Sequence, residues 1–135
     1  MTDIDLINAA AKSLRNSYSP YSGFKVGAAL LCASGKFFCG CNIENASYSA
    51  GICAERTAIF KAVSEGEREF VKLALVGGKD GKISDFCYPC GICRQVISEF
   101  CGADFIIVTF DGKKIRTHTL GELLPLSFGR KNLCE

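Results

Sequence analysis

The sequence has no Lys/Arg-rich run, no apolar stretch near the roughly 20 residues that cross a bilayer, and no basic segment followed by an apolar one at its start. Each shortage removes a class of function. A formal charge of +2 on a chain with 22% charged residues, spread without a basic cluster, offers no footprint for gripping a phosphate backbone, so no nucleic-acid partner is expected. Met1-Thr2-Asp3-Ile4-Asp5 opens with two acids, so neither export nor membrane insertion is expected and the protein is placed in the cytoplasm. The only histidine, His118, lies far from the motifs below in a stretch read as surface, and takes no role. No repeat, low-complexity segment or linker is present. The 135 residues, 48% of them hydrophobic, suffice for one domain over 1–135. A domain of this size buries roughly two thirds of the surface its unfolded chain exposes.

Cysteine is the residue in excess. Nine cysteines are an odd number, no export signal precedes them, and two form a C-x-x-C pair, which fits reduced thiols and metal ligation better than a disulfide framework. Cys32, Cys39, Cys41, Cys101 and Cys134, taken singly, read as small buried hydrophobes.

The patterning alternates between helix and strand. Thr2 and Asp5 cap a first helix whose apolar residues Ile7, Ala10, Ala11 and Leu14 recur at helical spacing, before Tyr18-Ser19-Pro20 stops it. Val26–Cys32, the turn Ala33–Lys36 and Phe37–Glu44 read as a hairpin. A helix over Cys53–Val63 follows, then a strand at Phe70–Val76 and a loop from Gly77 to Tyr88. A third helix, carrying Ile92, Val96 and Phe100 on one face, runs from Cys90 to Phe100. It precedes a strand at Asp104–Phe110, a short strand at Lys114–Thr117 and a short helix from Thr119 to Leu124, closed by Pro125. The expected fold is α/β: a three-layer α/β/α sandwich with a mixed sheet of about five strands.

The chemistry concentrates in two segments, Cys53-Ala54-Glu55 and Pro89-Cys90-Gly91-Ile92-Cys93, each opening a helix just after a loop. Unpaired amides and the positive dipole end at a helix start stabilise thiolate, the form a metal needs. Three thiolates from Cys53, Cys90 and Cys93 leave the fourth position of a tetrahedral zinc open, as a catalytic site requires. Glu55, two residues from a ligand, can reach a water there as general base. Three thiolates leave a zinc centre with net charge near −1, which weakens it as a Lewis acid. Arg56 and Arg94, each next to a ligand, can offset this by donating to the sulfurs, or can simply point to solvent. Two structural alternatives stay open. Cys87, Cys90 and Cys93 begin like an iron–sulfur run, although Ile97 stands where a fourth cysteine belongs. A zinc ribbon would need a second C-x-x-C, for which the chain offers only Cys53 or the Cys39/Cys41 pair. Cys87 remains a spare thiol.

With 56–88 between them, these two segments resemble the zinc nucleoside deaminases, specifically the small cytidine deaminases. The resemblance covers nearly the whole chain, through Tyr18–Leu30, Asn42–Tyr48 and Leu123–Gly129. It implies one Zn2+ per subunit and hydrolysis of cytidine and deoxycytidine to the uridines and ammonia in pyrimidine salvage, a reaction of hydrolases that act on cyclic amidines. Zinc-bound hydroxide would attack C4 and Glu55 would shuttle protons. It also implies that Phe24 packs on the pyrimidine and that Asn42 and Glu44, two apart on a strand, bind the ribose hydroxyls. The Ala54 amide and the Tyr88 carbonyl would hold the base. Tyr48 and Phe128 would complete a neighbouring subunit's site in a homotetramer with shared active sites. Tyr88 stands where Ser or Thr often precedes Pro-Cys, and Arg130 where proline commonly follows Phe-Gly. Two rivals are a deaminase for another small molecule, such as a blasticidin-type nucleoside, and a non-enzymatic zinc module, which would have no use for Glu55. A nucleic-acid editor would need a basic channel that the composition does not supply.

Overall fold

A computed structural model describes residues 1–134. Helix α1 (Asp3–Leu14) begins at a reciprocal cap, the Asp5 amide donating to Thr2 Oγ1 at 3.1 Å and the Thr2 amide to Asp5 Oδ2 at 2.9 Å. Leu6, Ile7, Ala10 and Leu14 form its buried face. The strands are β1 (Phe24–Cys32), β2 (Phe37–Cys41), β3 (Phe70–Lys79), β4 (Ile106–Phe110) and β5 (Ile115–Thr119), arranged in space as β2-β1-β3-β4-β5. The β3/β4 pair is parallel and the other three pairs are antiparallel.

Alternation along the strands sorts the core into two layers. Ala28, Leu30, Leu73, Leu75 and Ile107 face helices α2 (Ala54–Ser64) and α3 (Gly91–Phe100), while Ala29, Ala74, Val76 and Val108 face α1. The sheet is therefore buried on both faces, and the expected α/β/α sandwich with a five-stranded mixed sheet is what forms. Two short helices end the chain, α4 (Leu120–Leu123), capped by Thr119 against Glu122, and α5 (Arg130–Leu133).

Several boundaries differ from the sequence expectation. β3 runs on to Lys79, through glycines read as loop, because β1 supplies partners all the way: Val26 opposite Gly77 and Phe24 opposite Lys79. β2 stops at Cys41 instead of reaching Glu44, and Ile43 bridges singly to Tyr18 and to Ile52. Asn42 and Glu44 therefore flank a crossing point rather than sharing a strand. On α3 the buried residues are Cys93 and Ile97, with Val96 and Phe100 packed beside them, whereas Ile92 is 62% exposed. Turning Cys93 inward on the first turn rotates Ile92 to the surface. Helix α5 and the single 3-10 turn at Tyr48–Ala50 were not anticipated, and Arg130 opens α5 with its Nε 3.6 Å from Glu99 Oε2.

Strand direction places the helix starts. β1 runs antiparallel to both β2 and β3, so the C-terminal ends of β2 and β3 share one edge of the sheet. The loops into α2 and α3 leave from that edge, and both helix N-termini come to rest there. Two close approaches lock the layers: a Cβ at Gly40 would lie 2.5 Å from the Ala58 nitrogen of α2, and one at Gly27 would lie 2.0 Å from the Ala10 carbonyl oxygen of α1. Gly27→Ala is therefore expected to destabilise the fold by about 2 kcal/mol or more, read as a lowered urea midpoint at unchanged slope; an unshifted midpoint would show that α1 can move away freely.

Candidate metal centre and adjoining cavity

Cys53 and Cys90 are the N-cap residues of α2 and α3, and neither side chain makes a capping bond. Cys93 sits in the first turn of α3, wholly buried. The three sulfurs lie within 4.8 Å of one another, and Cys53 Sγ is 3.7 Å from Cys90 Sγ. Thiolates bound at about 2.3 Å in a tetrahedron stand about 3.8 Å apart, so the spacing and the donor set fit one zinc ion. Among the described residues this is the only His/Cys/Asp/Glu group that meets that metal-site spacing, and Cys87 lies outside it.

Hydrogen bonding to Cys93, then to Arg56 and Cys90, pulls the Cys53 thiol down to about 5, while the shared hydrogen bond with Cys53, together with burial, raises Cys93. Arg56 Nη2 lies 3.6 Å from Cys53 Sγ, and its Nε is buried without a partner. Arg94 goes elsewhere. Its Nε donates to the Pro89 carbonyl at 2.7 Å and its Nη1 to the Leu123 carbonyl at 2.6 Å, so it braces the chain around the cysteines instead of bonding the sulfurs. Glu55 is only 3% exposed, and burial pushes its carboxyl up to about 7. Burial also pushes Cys87 up to about 12, which keeps it a neutral thiol.

A cavity of about 590 Å3 opens onto this cluster, lined among others by Asn42, Glu44, Tyr48, Ala54, Glu55 and Tyr88. Its polar wall is held by the 17–26 stretch. Glu44 Oε1 accepts from the Tyr21 and Ser22 amides at 2.9 and 3.1 Å, and Oε2 from the Ser22 hydroxyl, which together hold the carboxyl below its usual range. Asn42 Oδ1 accepts from the Ser17 hydroxyl and, at 2.9 Å, from the Val26 amide, while its Nδ2 donates to the Phe24 carbonyl at 2.8 Å. The amide cannot flip without losing these bonds, and one Nδ2 proton stays free for a ligand. Sequence reasoning missed Ser17 and Ser22 as the holders of this wall; the turn-rich run Tyr18–Gly23 was the available signal. Phe24, Phe128 and Arg94 do not line the cavity, whereas Cys87, Ile52 and Asn45 do.

An α/β/α sandwich with three cysteines at two adjoining helix starts, and a buried carboxylate beside them, defines a zinc-binding hydrolase of the deaminase class. The chain belongs to the cytidine deaminase family, since the family described as "Cytidine and deoxycytidylate deaminase zinc-binding region" matches residues 1–109. It is 47% identical over 133 residues to a cytidine deaminase of Sporosarcina psychrophila, covering 97% of this chain and 95% of that one. The crystal structure of a cytidine deaminase from Burkholderia pseudomallei superposes with TM-score 0.87 at 44% identity, covering 95% of this chain and all of that chain. A blasticidin-S deaminase of Bacillus cereus is 30% identical over 132 residues, 95% of this chain and 93% of that one. No helix among the described residues is long and apolar enough to cross a membrane.

The geometry separates the four thiols nearest the cavity. Serine at Cys53, Cys90 or Cys93 is expected to reduce bound zinc well below one per chain, while Cys87→Ser keeps it, as read by metal analysis of the purified variants. A zinc-free Cys87→Ser protein would mean that the wrong thiol has been assigned.

Proposed function

We propose that the protein hydrolyses cytidine and deoxycytidine to uridine and deoxyuridine with release of ammonia, in the cytoplasm, as a step of pyrimidine salvage. The observation that carries this reading is the buried Glu55 beside the Cys53/Cys90/Cys93 cluster, at the wall of a cavity whose volume suits a nucleoside. Relatives that match nearly end to end are named cytidine deaminases, and a cavity with Asn42 and Glu44 on one wall has polar groups for a sugar.

When bound by the three cysteines, zinc supplies the Lewis acidity that makes water nucleophilic at neutral pH. The protein residues do the rest. Glu55 takes a proton from water at a carboxylate oxygen as the water oxygen bonds to C4, and delivers it to N3 of the pyrimidine; it then takes the remaining proton of that oxygen and passes it to the amino nitrogen, whose bond to C4 breaks, so that water and cytidine become uridine and ammonia. The Ala54 amide and the Tyr88 carbonyl orient the base, while Asn42 and Glu44 hold the ribose hydroxyls. Arg56 offsets the charge of the sulfurs. Glu55→Gln is expected to keep zinc and lose at least about a thousandfold in turnover, because an amide cannot carry the proton. Ammonia release from a panel containing cytidine, deoxycytidine and blasticidin S checks the substrate. Turnover of blasticidin S alone would favour the second reading, which the Bacillus cereus relative supports, and near-normal turnover by Glu55→Gln would remove Glu55 from the mechanism.

We further propose a homotetramer in which Tyr48 and Phe128 close a site shared between subunits. Tyr48 is 83% and Phe128 60% exposed on this chain, a large aromatic area to leave in water, and a cavity open on one side needs a cover to exclude water. Co-assembling Glu55→Gln chains with Phe128→Ala chains is expected to restore activity above that of either parent, since some sites then combine an intact Glu55 with a neighbour's intact Phe128. No recovery in verified mixed oligomers, or a fully active monomer, would defeat the shared site.

A further inference from the structure

Between β3 and α3 the chain from Asp80 to Cys90 has no helix or strand, yet it carries the wall residue Tyr88 and the ligand candidate Cys90 into the cavity. Without a ladder of backbone hydrogen bonds, side chains must set its path. Tyr88 is also large: a phenol turned inward would fill space that a substrate needs. Its ring is instead held from outside. Arg116 Nη1 donates to the Tyr88 hydroxyl at 3.1 Å, Phe86 stacks on the ring with centroids 6.4 Å apart and planes 29° from parallel, and His118 meets it edge-on at 5.5 Å. The Arg116 guanidinium also lies over Phe86, 4.0 Å from the ring centre. Phe86, Arg116 and His118 are all absent from the cavity wall that Tyr88 lines, so the contacts that hold the Tyr88 ring lie outside the cavity.

The grip comes from a fixed element. Arg116 and His118 are two apart on β5 and therefore share a face, and β5 is paired with β4 through Arg116 opposite Thr109 and His118 opposite Ile107. On the other side, Arg94 holds the Pro89 carbonyl at 2.7 Å. Two independent anchors thus bracket the peptide between Tyr88 and Pro89.

We infer that Arg116, with Phe86 and His118, is a positioning device for substrate binding: by holding the Tyr88 ring against β5 it presents the Tyr88 carbonyl to the base in the cavity. The inference rests on the proposed reading of that carbonyl. Arg116 and Tyr88 are both surface-accessible, so each link is modest.

The test measures the zinc-loaded protein and two variants, Arg116→Ala and Tyr88→Phe, by steady-state kinetics with cytidine, metal analysis and amide hydrogen exchange over residues 83–90. Both variants are expected to keep one zinc per chain, to exchange faster in that segment, and to raise KM about three- to tenfold with kcat changed less than about twofold, the scale of one surface hydrogen bond. The double variant is expected to be no worse than Arg116→Ala, because both changes break the same bond. Arg116→Lys restores most of the KM, since an ammonium can still donate to the hydroxyl and sit over Phe86. Unchanged exchange in both variants overturns the inference. So does faster exchange with unchanged KM, which would mean that the segment is held but its position is not used, and so does loss of zinc, which would mean that the cluster serves Cys90. Failure of the unmodified zinc protein to act on cytidine is a separate result, which rejects the substrate reading; exchange alone then decides whether the device holds the segment.

Discussion

Everything at the functional end of this molecule depends on bringing two helix N-termini together so closely that sulfurs from both nearly touch. At the 3.7 Å between Cys53 and Cys90, two thiolates would repel by about 4 kcal/mol at an effective dielectric near 20, an unfavourable arrangement unless positive charge is nearby. The unspent amides at both helix starts and the Arg56 guanidinium supply part of that charge. Protonation of a thiol or binding of a zinc ion would remove the remaining repulsion. Competition between proton and metal for the same sulfurs follows directly.

That constraint explains the surrounding architecture. Helix α2 must lie close to β2 for Cys53 to reach α3, and Gly40 permits this because no Cβ stands between the strand and the helix backbone. Glu55 follows Cys53 into the first turn of α2 and is buried by the same packing that buries Ala54 and Ala58. The carboxylate is therefore raised by desolvation as a consequence of where the cysteines must go. Cys87, a few residues before the pair on α3, is near the cavity but held in the protonated form by its apolar surroundings, which separates it chemically from the cluster beside it.

The polar wall of the cavity obeys a different rule. Asn42 and Glu44 lie beyond the end of β2, and their orientation is imposed by the stretch that joins α1 to β1 together with the first residues of β1. The backbone amides of Tyr21, Ser22 and Val26 do most of this work, so any residue types there that keep the same turn would hold the same side chains. This is why the pattern of apolar residues could not reveal the holders, whereas Asn42 and Glu44 stood out through the family resemblance of their segment.

What the sequence by itself determined is whatever depends on local chemistry. Helical spacing in α1 and α2, continuous apolar runs in the strands, the caps at Thr2 and Thr119, and the C-A-E and P-C-x-x-C segments each carry their meaning within a few residues. These were enough to specify an α/β/α sandwich and a three-cysteine zinc site with an acid beside it. Only the tertiary structure decided what depends on partners distant in the chain. β3 extends through two glycines because β1 is there to pair with them, and Ile92 is exposed because Cys93 faces inward. Arg94 turns to the carbonyls of Pro89 and Leu123 instead of the sulfurs, and the Tyr88 ring is held from β5. A side chain's local sequence states which bonds it can make; which of them it does make is decided by the groups that folding brings within about 3 Å of it.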